Sequence, residues 1–124
     1  MCVIDPRQFV GLRLRGGFTI EAIEFTEAPL VDALGREAAA QTRIVGHAFR
    51  LLIRSGMTEE ELSVTLYHEI LEAAAVGSMN PPESVMDLNE AGFERAAREA
   101  QQRWGITSPD NLNRVLQLHG FHEQ

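Results

Sequence analysis

The segment from Thr58 to Gly77 constrains the fold of this chain more than any other. Thr58 and Glu61 have the spacing of a capping box, in which side chains satisfy the free amides of a helix start, and Gly77 is typical of a helix end. Apolar residues occupy nearly all sides of the helix between them: Leu62, Val64, Leu66, Tyr67, Ile70, Leu71, Ala73, Ala74 and Ala75. Because neighbours must cover such a helix on several sides, we expect it at the centre of the domain.

One polar sector interrupts that apolar surface. Its members are Glu61, Thr65, His68 and Glu72, with Glu69 at its edge. Residues 68–72 read H-E-x-x-E, which differs in its last position from H-E-x-x-H. In that helix motif two histidines one turn apart bind zinc, and the glutamate activates a water molecule. With Glu72 in place of the second histidine, three interpretations are possible: an unusual metal site, a scaffold that has lost its catalytic activity, or a chance match to the motif.

Two interpretations of His68 and Glu72 are open. Their spacing places both side chains on one helix face, where an imidazole and a carboxylate can bind the same ion. The same spacing is also common in solvated polar pairs that bind nothing. Glu69 is more informative, because an unpaired carboxylate beside an apolar surface is unfavourable. It needs a partner, either a water molecule on a metal ion or an arginine. The candidate arginines are Arg43, Arg50 and Arg54.

The other elements predict an α+β domain. Residues Phe18–Phe25 read as a strand whose alternation changes phase near Ala22 and Ile23, which indicates a bulge. Two further strands are expected, Thr42–Val45 and His47–Arg54, with Gly46 turning the chain between them. A helix over residues 36–53 remains an alternative, because residues 37–41 favour helix.

Two helices are expected after the central one. The first runs from about Pro82 or Asp87 to Trp104, and the second from Leu112 to Leu118. Residues 27–34 read as a loop or a short helical turn. The 124 residues fit one domain spanning 1–124, with a short antiparallel sheet packed on the central helix and two further carboxyl-terminal helices.

Composition excludes some functions. The chain has 18 acidic and 11 basic residues and a formal charge of −7, which argues against nucleic acid as a partner. All basic residues are arginine, so Schiff-base chemistry of a lysine is excluded. No secretory signal or membrane span is evident, and Cys2 is the only cysteine. We therefore expect a cytoplasmic protein with no membrane partner.

Two segments resemble a known family. The strand ending near Arg54, the turn after it and the helix Leu66–Ala73 resemble the core of minimal zincin-like metalloproteases. The segment Asn89–Glu94 is similar to the one from which the gluzincin branch takes a carboxylate ligand. The resemblance covers roughly residues 49–94, about half of the chain. It implies a small zincin-like domain.

The resemblance also implies roles for individual residues. His68 would be the first metal ligand, Glu72 would occupy the position of the second, Glu90 would be the third, and Glu69 would be the general base. Two carboxylate ligands would weaken the Lewis acidity of the ion. The set is also shifted from nitrogen towards oxygen ligands, so manganese and iron fit it as well as zinc does.

Two classes of function follow. In the first, the protein is a metal-dependent hydrolase of peptidase-like type, with altered or lost activity. In the second, it is a non-catalytic acidic module that keeps the zincin-like scaffold and binds a peptide or protein partner beside the central helix. The other histidines, His47, His119 and His122, are expected to be structural or solvated.

Overall fold

The computed structural model describes residues 4–31, 35–78, 81–86 and 88–121. After a turn of 3-10 helix at Pro6–Gln8, the strands are β1 (Thr19–Thr26), β2 (Leu30–Val31), β3 (Glu37–Ala38), β4 (Ala40–Val45) and β5 (Ala48–Arg54). The helices are α1 (Glu59–Gly77), α2 (Glu83–Met86), α3 (Glu90–Trp104) and α4 (Pro109–Leu118). The predicted α+β class is confirmed.

Strands β4 and β5 form the predicted hairpin, so the helical alternative for residues 36–53 was wrong. Gly46 has a φ of 63° in the two-residue turn, a left-handed conformation that glycine adopts without strain. Alternate residues of β5, Phe49, Leu51 and Ile53, are buried in the core. This alternation outweighs the helix propensity of residues 37–41. In a strand, every second side chain lies on the same face, so all three apolar side chains can be buried together.

The main sheet has the order β1-β5-β4, and β1 pairs with β5 in parallel. The expectation of a wholly antiparallel sheet was therefore wrong for this pair. Parallel neighbours need a connection that returns the chain to the same end of the sheet. The connection from β1 to β5 does so through β4, which runs antiparallel to β5. Within that connection β2 and β3 form a small antiparallel pair, where we predicted a loop or helical turn over residues 27–34. Residues 32–34 lie outside the described ranges.

The predicted irregularity in β1 is present, one residue earlier than expected. The register against β5 shifts between Ile20 and Ala22. As a result Ile20 lies opposite Phe49 and Ile23 lies opposite Leu51, although the two isoleucines are an odd number of residues apart. The bulge therefore places apolar residues on the core face on both sides of it.

Helix α1 lies at the centre, as predicted, and contacts β4, α3 and α4. The Thr58 side chain accepts a hydrogen bond from the Glu61 amide at its start. Ser63 and Thr107 form buried hydrogen bonds of 2.6–2.7 Å, and the Tyr67 hydroxyl donates to the Gly105 carbonyl at 2.9 Å. These bonds fasten α1 to the connection between α3 and α4.

The expected long helix ending at Trp104 is divided into α2 and α3. Asn89 has an extended backbone, and its side chain caps α3 by accepting a hydrogen bond from the Gly92 amide. A new helix therefore begins after Asn89. Asp87, the alternative start, lies outside the described residues. Helix α4 begins at Pro109, earlier than expected, because Ser108 caps it. In the part of the chain that is described, no helix is long and apolar enough to cross a membrane.

Candidate functional site

His68 lies between two groups of carboxylates. Its side chain belongs to α1 and is buried, with 7% of the residue surface exposed. Nε2 lies 2.9 Å from Oε2 of Glu72 and 2.9 Å from Oε1 of Glu90, while Nδ1 lies 2.8 Å from Oε1 of Glu94. The imidazole therefore has an acidic partner at each of its two nitrogens.

Two helices build this cluster through their regular spacing. His68 and Glu72 are one turn apart on α1, and Glu90 and Glu94 are one turn apart on α3. Buried Phe93 packs between the helices, with its ring centre 6.3 Å from that of His68. Because α1 and α3 pack together along this face, the four polar side chains meet at their interface.

The carboxylates make His68 strongly basic. Burial alone would lower its pKa, but hydrogen bonds to Glu72 and Glu94 and the negative charges of Glu69 and Glu90 raise the pKa to about 9. At neutral pH and without a bound cation, the ring is therefore an imidazolium that donates a proton at each nitrogen. A metal ion that replaced the Nε2 proton would leave the Nδ1 proton in place, together with its hydrogen bond to Glu94.

Glu72 and Glu90 differ in their proton affinity. The hydrogen bond from His68 lowers the pKa of Glu72 and outweighs its burial. For Glu90, burial raises the pKa, and the nearby Glu72 carboxyl raises it further. Two acidic groups that face one imidazole nitrogen repel each other when both are ionised, so a cation at this position would relieve that repulsion.

Glu69 is half-buried on the β4 side of α1. Burial raises its pKa to about 7, although the charge of His68 and a hydrogen bond from Thr42 act in the opposite direction. The Thr42 hydroxyl donates to Oε2 of Glu69 at 3.1 Å. Among the described residues, no ion pair joins Glu69 to Arg43, Arg50 or Arg54, the arginines predicted as its partner. Arg50 pairs with Glu21 at 2.9 Å and Arg54 pairs with Glu37.

The cluster opens onto a groove of about 1530 Å³ beside β4. The lining includes Thr42 and Ile44, which face α1, as well as Arg43 and Val45, which point to the other side of the sheet. Because residues from both faces of β4 line the same space, the groove follows the outer edge of that strand. A ligand larger than a metal ion can therefore approach the cluster from solvent.

The structure brings together the three residues predicted as metal ligands. Ligand atoms of His68, Glu72 and Glu90 all lie within 4.8 Å of one another, so this group can hold a metal ion. Glu69 lines the same groove. Glu94 is a further member of the cluster that was not predicted. Its spacing of four from Glu90 places both on one face of α3 and would have indicated it.

His47 and His119 are not among the residues that line the groove. His47 is exposed at the turn between β4 and β5, with its ring centre 6.0 Å from that of Phe18, in agreement with a structural or exposed role. His119 follows α4 and is partly buried. Cys2 and His122 lie outside the described residues.

Neither a protein-family model nor a curated protein nor a solved structure matches this chain. The resemblance to zincin-like metalloproteases therefore stays a prediction. What can be inferred about function rests on the geometry of the cluster and its groove.

Proposed function

We propose that this protein is a zincin-like domain that binds one divalent metal ion through Nε2 of His68 and the carboxylates of Glu72 and Glu90. The observation that supports this most is the convergence of three ligand atoms from two helices within 4.8 Å. Three protein ligands are also the number found in catalytic zinc sites, which keep a further position for water or substrate.

Glu94 supports the same proposal from the other side of the ring. Histidines that bind metals usually donate their second N–H to a carboxylate or carbonyl, which fixes the tautomer and the ring orientation. Nδ1 of His68 has such a partner in Glu94 at 2.8 Å. Glu94 is itself held by Arg98, one turn later on α3, at 2.8 Å. The pair orients Nε2 towards Glu72 and Glu90.

The ligand set favours a cation that accepts oxygen donors. One imidazole and two carboxylates suit manganese(II), iron(II) and zinc, whereas a site for copper(I) would contain thiolate or thioether ligands. Two anionic ligands lower the Lewis acidity of the ion, so water at this site is less acidic than at a site with neutral ligands. We therefore place manganese and iron beside zinc as candidates.

The proposed reaction is a hydrolysis of peptidase-like type, with weaker activity than a site with two histidines would give. A bound ion would supply Lewis acidity. Glu69 would accept a proton from the attacking water molecule, a role that a carboxylate beside the ligands can take. The groove along β4 gives a peptide access to both Glu69 and the ligands.

Metal titration of the purified chain tests the metal site. After chelator treatment, we expect the wild-type protein to bind about one equivalent of manganese or zinc. Glu72→Gln and Glu90→Gln should each weaken binding about tenfold or more, because each removes a charged ligand. Glu99→Gln is the matched control, since Glu99 is exposed on α3 more than two turns after Glu90. A wild-type protein that retains less than about a tenth of an equivalent contradicts the proposal.

A second candidate function is the non-catalytic module. Three exposed valines line the groove, with exposed fractions of 51% for Val31, 56% for Val45 and 70% for Val76. Exposed apolar side chains that share one groove can form a contiguous apolar surface, which is typical of a site that contacts a partner. In a pull-down, Val45→Arg and Val76→Arg should then abolish capture of a protein partner, whereas Val10→Arg should not. Equal capture by all three variants would argue against this function.

A further inference from the structure

Thr42 occupies a position of β4 that faces the helices. Its neighbours on the same strand face are Ala40 and Ile44, and its cross-strand partner is buried Leu51. Threonine is a good strand former, so its presence alone would require no explanation. Its hydroxyl, however, donates to Oε2 of Glu69, which lies 27 residues later on α1.

The hydroxyl of Thr42 is the hydrogen-bond partner that the described part of the chain gives to Glu69. It donates to the Glu69 carboxylate at 3.1 Å. Two of the arginines predicted as its partner, Arg50 and Arg54, pair with other acidic residues. A half-buried carboxylate with several torsions adopts one orientation only where a partner fixes it. The Thr42 hydroxyl is the partner that the protein provides.

The second oxygen of Glu69 is in a different position. The hydrogen bond from Thr42 is made to Oε2, and none is recorded to Oε1 among the described residues. In that part of the chain, the one fully buried side-chain polar atom without a partner is Arg15 Nε, so Oε1 keeps some exposure to solvent. Glu69 lines the same groove as His68 and Glu72, so water in that groove can reach its side chain. One oxygen is held by the protein and the other can accept a hydrogen bond from water.

We infer that Thr42 is a positioning residue, whose hydroxyl fixes Glu69 through Oε2 and leaves Oε1 free to accept a proton from water. This inference rests on the proposed function, because it gives Glu69 the role of proton acceptor. The inference extends the proposed site to the sheet, because a residue of β4 orients Glu69. All three proposed ligands come from α1 and α3, whereas the orientation of the proton acceptor is set by β4.

Three variants separate this role from general stability. Thr42→Val removes the hydroxyl with little change in volume, and Thr42→Ser keeps it. Thr65→Val is the matched control, because Thr65 lines the same groove but its hydroxyl contacts the Met57 sulfur at 3.6 Å. Three-bond NMR couplings of the metal-free proteins report the side-chain rotamer of Glu69. We expect one rotamer in the wild type, Thr42→Ser and Thr65→Val, and averaged couplings in Thr42→Val.

Measurements on the manganese-loaded proteins complete the test. Thr42→Val should bind manganese within about twofold of the wild type, since it removes no ligand, and should hydrolyse a peptide library about tenfold more slowly. Thr42→Ser should restore the rate. A single Glu69 rotamer in Thr42→Val overturns the inference, and so does an unchanged rate.

The same measurements distinguish a failure of the proposed function. A wild-type protein that binds manganese yet hydrolyses no peptide overturns the inference, because Glu69 then accepts no proton. That result does not contradict the proposed metal site. A wild-type protein that binds no metal overturns both. A fixed Glu69 rotamer would in that case show only a structural bond between β4 and α1.

Discussion

Nδ1 of His68 lies 2.8 Å from Oε1 of Glu94, on the opposite side of the ring from Glu72 and Glu90. The imidazole is therefore held at both ends, and only Nε2 faces the carboxylates that can share a cation with it. The same contact stabilises the imidazolium when no cation is present. Glu94 thus favours one ring orientation in both states.

Removal of Glu94 should weaken metal binding without removing a ligand. We expect Glu94→Ala to lower the affinity for manganese or zinc about 10- to 100-fold, because the tautomer and orientation of His68 are then no longer fixed. Glu94→Gln should have a smaller effect, since an amide oxygen can still accept a hydrogen bond from Nδ1–H. Isothermal titration calorimetry measures both, with Glu99→Gln as the control on the same helix. Wild-type affinity in Glu94→Ala would show that the contact does not orient the ligand.

The metal-free protein should lose stability as the pH rises. The pKa of His68 in the folded protein, about 9, exceeds its ordinary value of 6.5. Protonated His68 therefore adds its full contribution to the free energy of unfolding below about pH 6.5, and that contribution is lost as the pH approaches 9. The raised pKa of Glu69 acts in the same direction between about pH 4.5 and 7. The lowered pKa of Glu72 acts oppositely, but only below its ordinary value of 4.5.

Urea unfolding in the presence of a chelator at pH 5, 7 and 9 measures this dependence. The shift at His68 corresponds to a decrease of about 3 kcal/mol in the free energy of unfolding between pH 6.5 and 9. His68→Gln should remove most of that decrease, since glutamine keeps polar contacts but does not titrate. Stability that rises or stays constant from pH 7 to 9 in the wild type would contradict the assignment.

Part of this arrangement is predictable from sequence because it follows from local rules. The capping box at Thr58 and the apolar circumference that follows define α1, and the alternation in β5 with Gly46 before it defines the hairpin. His68 and Glu72 meet because four residues are about one helical turn. No information about the rest of the fold is needed for these statements.

Other features depend on how distant elements pack. The contact between Glu94 and His68 requires the relative position of α1 and α3, and the bond from Thr42 to Glu69 requires the position of β4 against α1. The parallel pairing of β1 with β5 depends on the path of the connection between β1 and β4. Residue propensities do not determine these distances, because each joins residues far apart in the chain.

Metal binding should release a proton from His68. At pH 7 its imidazole is protonated, because its pKa is about 9, and Nε2 can bind an ion only after it loses that proton. We expect the apparent affinity to rise up to about tenfold per pH unit between pH 6.5 and 8.5. Calorimetry in buffers of different ionisation enthalpy should give about one proton released per ion. A pH-independent affinity would indicate that His68 is not a ligand.

Glu72→His should change which ion the site prefers. The substitution creates H-E-x-x-H at residues 68–72 and replaces an anionic oxygen ligand by a neutral nitrogen ligand one turn from His68. Imidazole favours zinc over manganese more than carboxylate does, so we expect the ratio of zinc to manganese affinity to rise about tenfold or more. Competition titrations measure that ratio, with Glu72→Gln as the control that removes the charge without adding a strong ligand. If Glu72→His and Glu72→Gln give the same ratio, residue 72 does not contact the ion, and the ligand set proposed for α1 is reduced to His68.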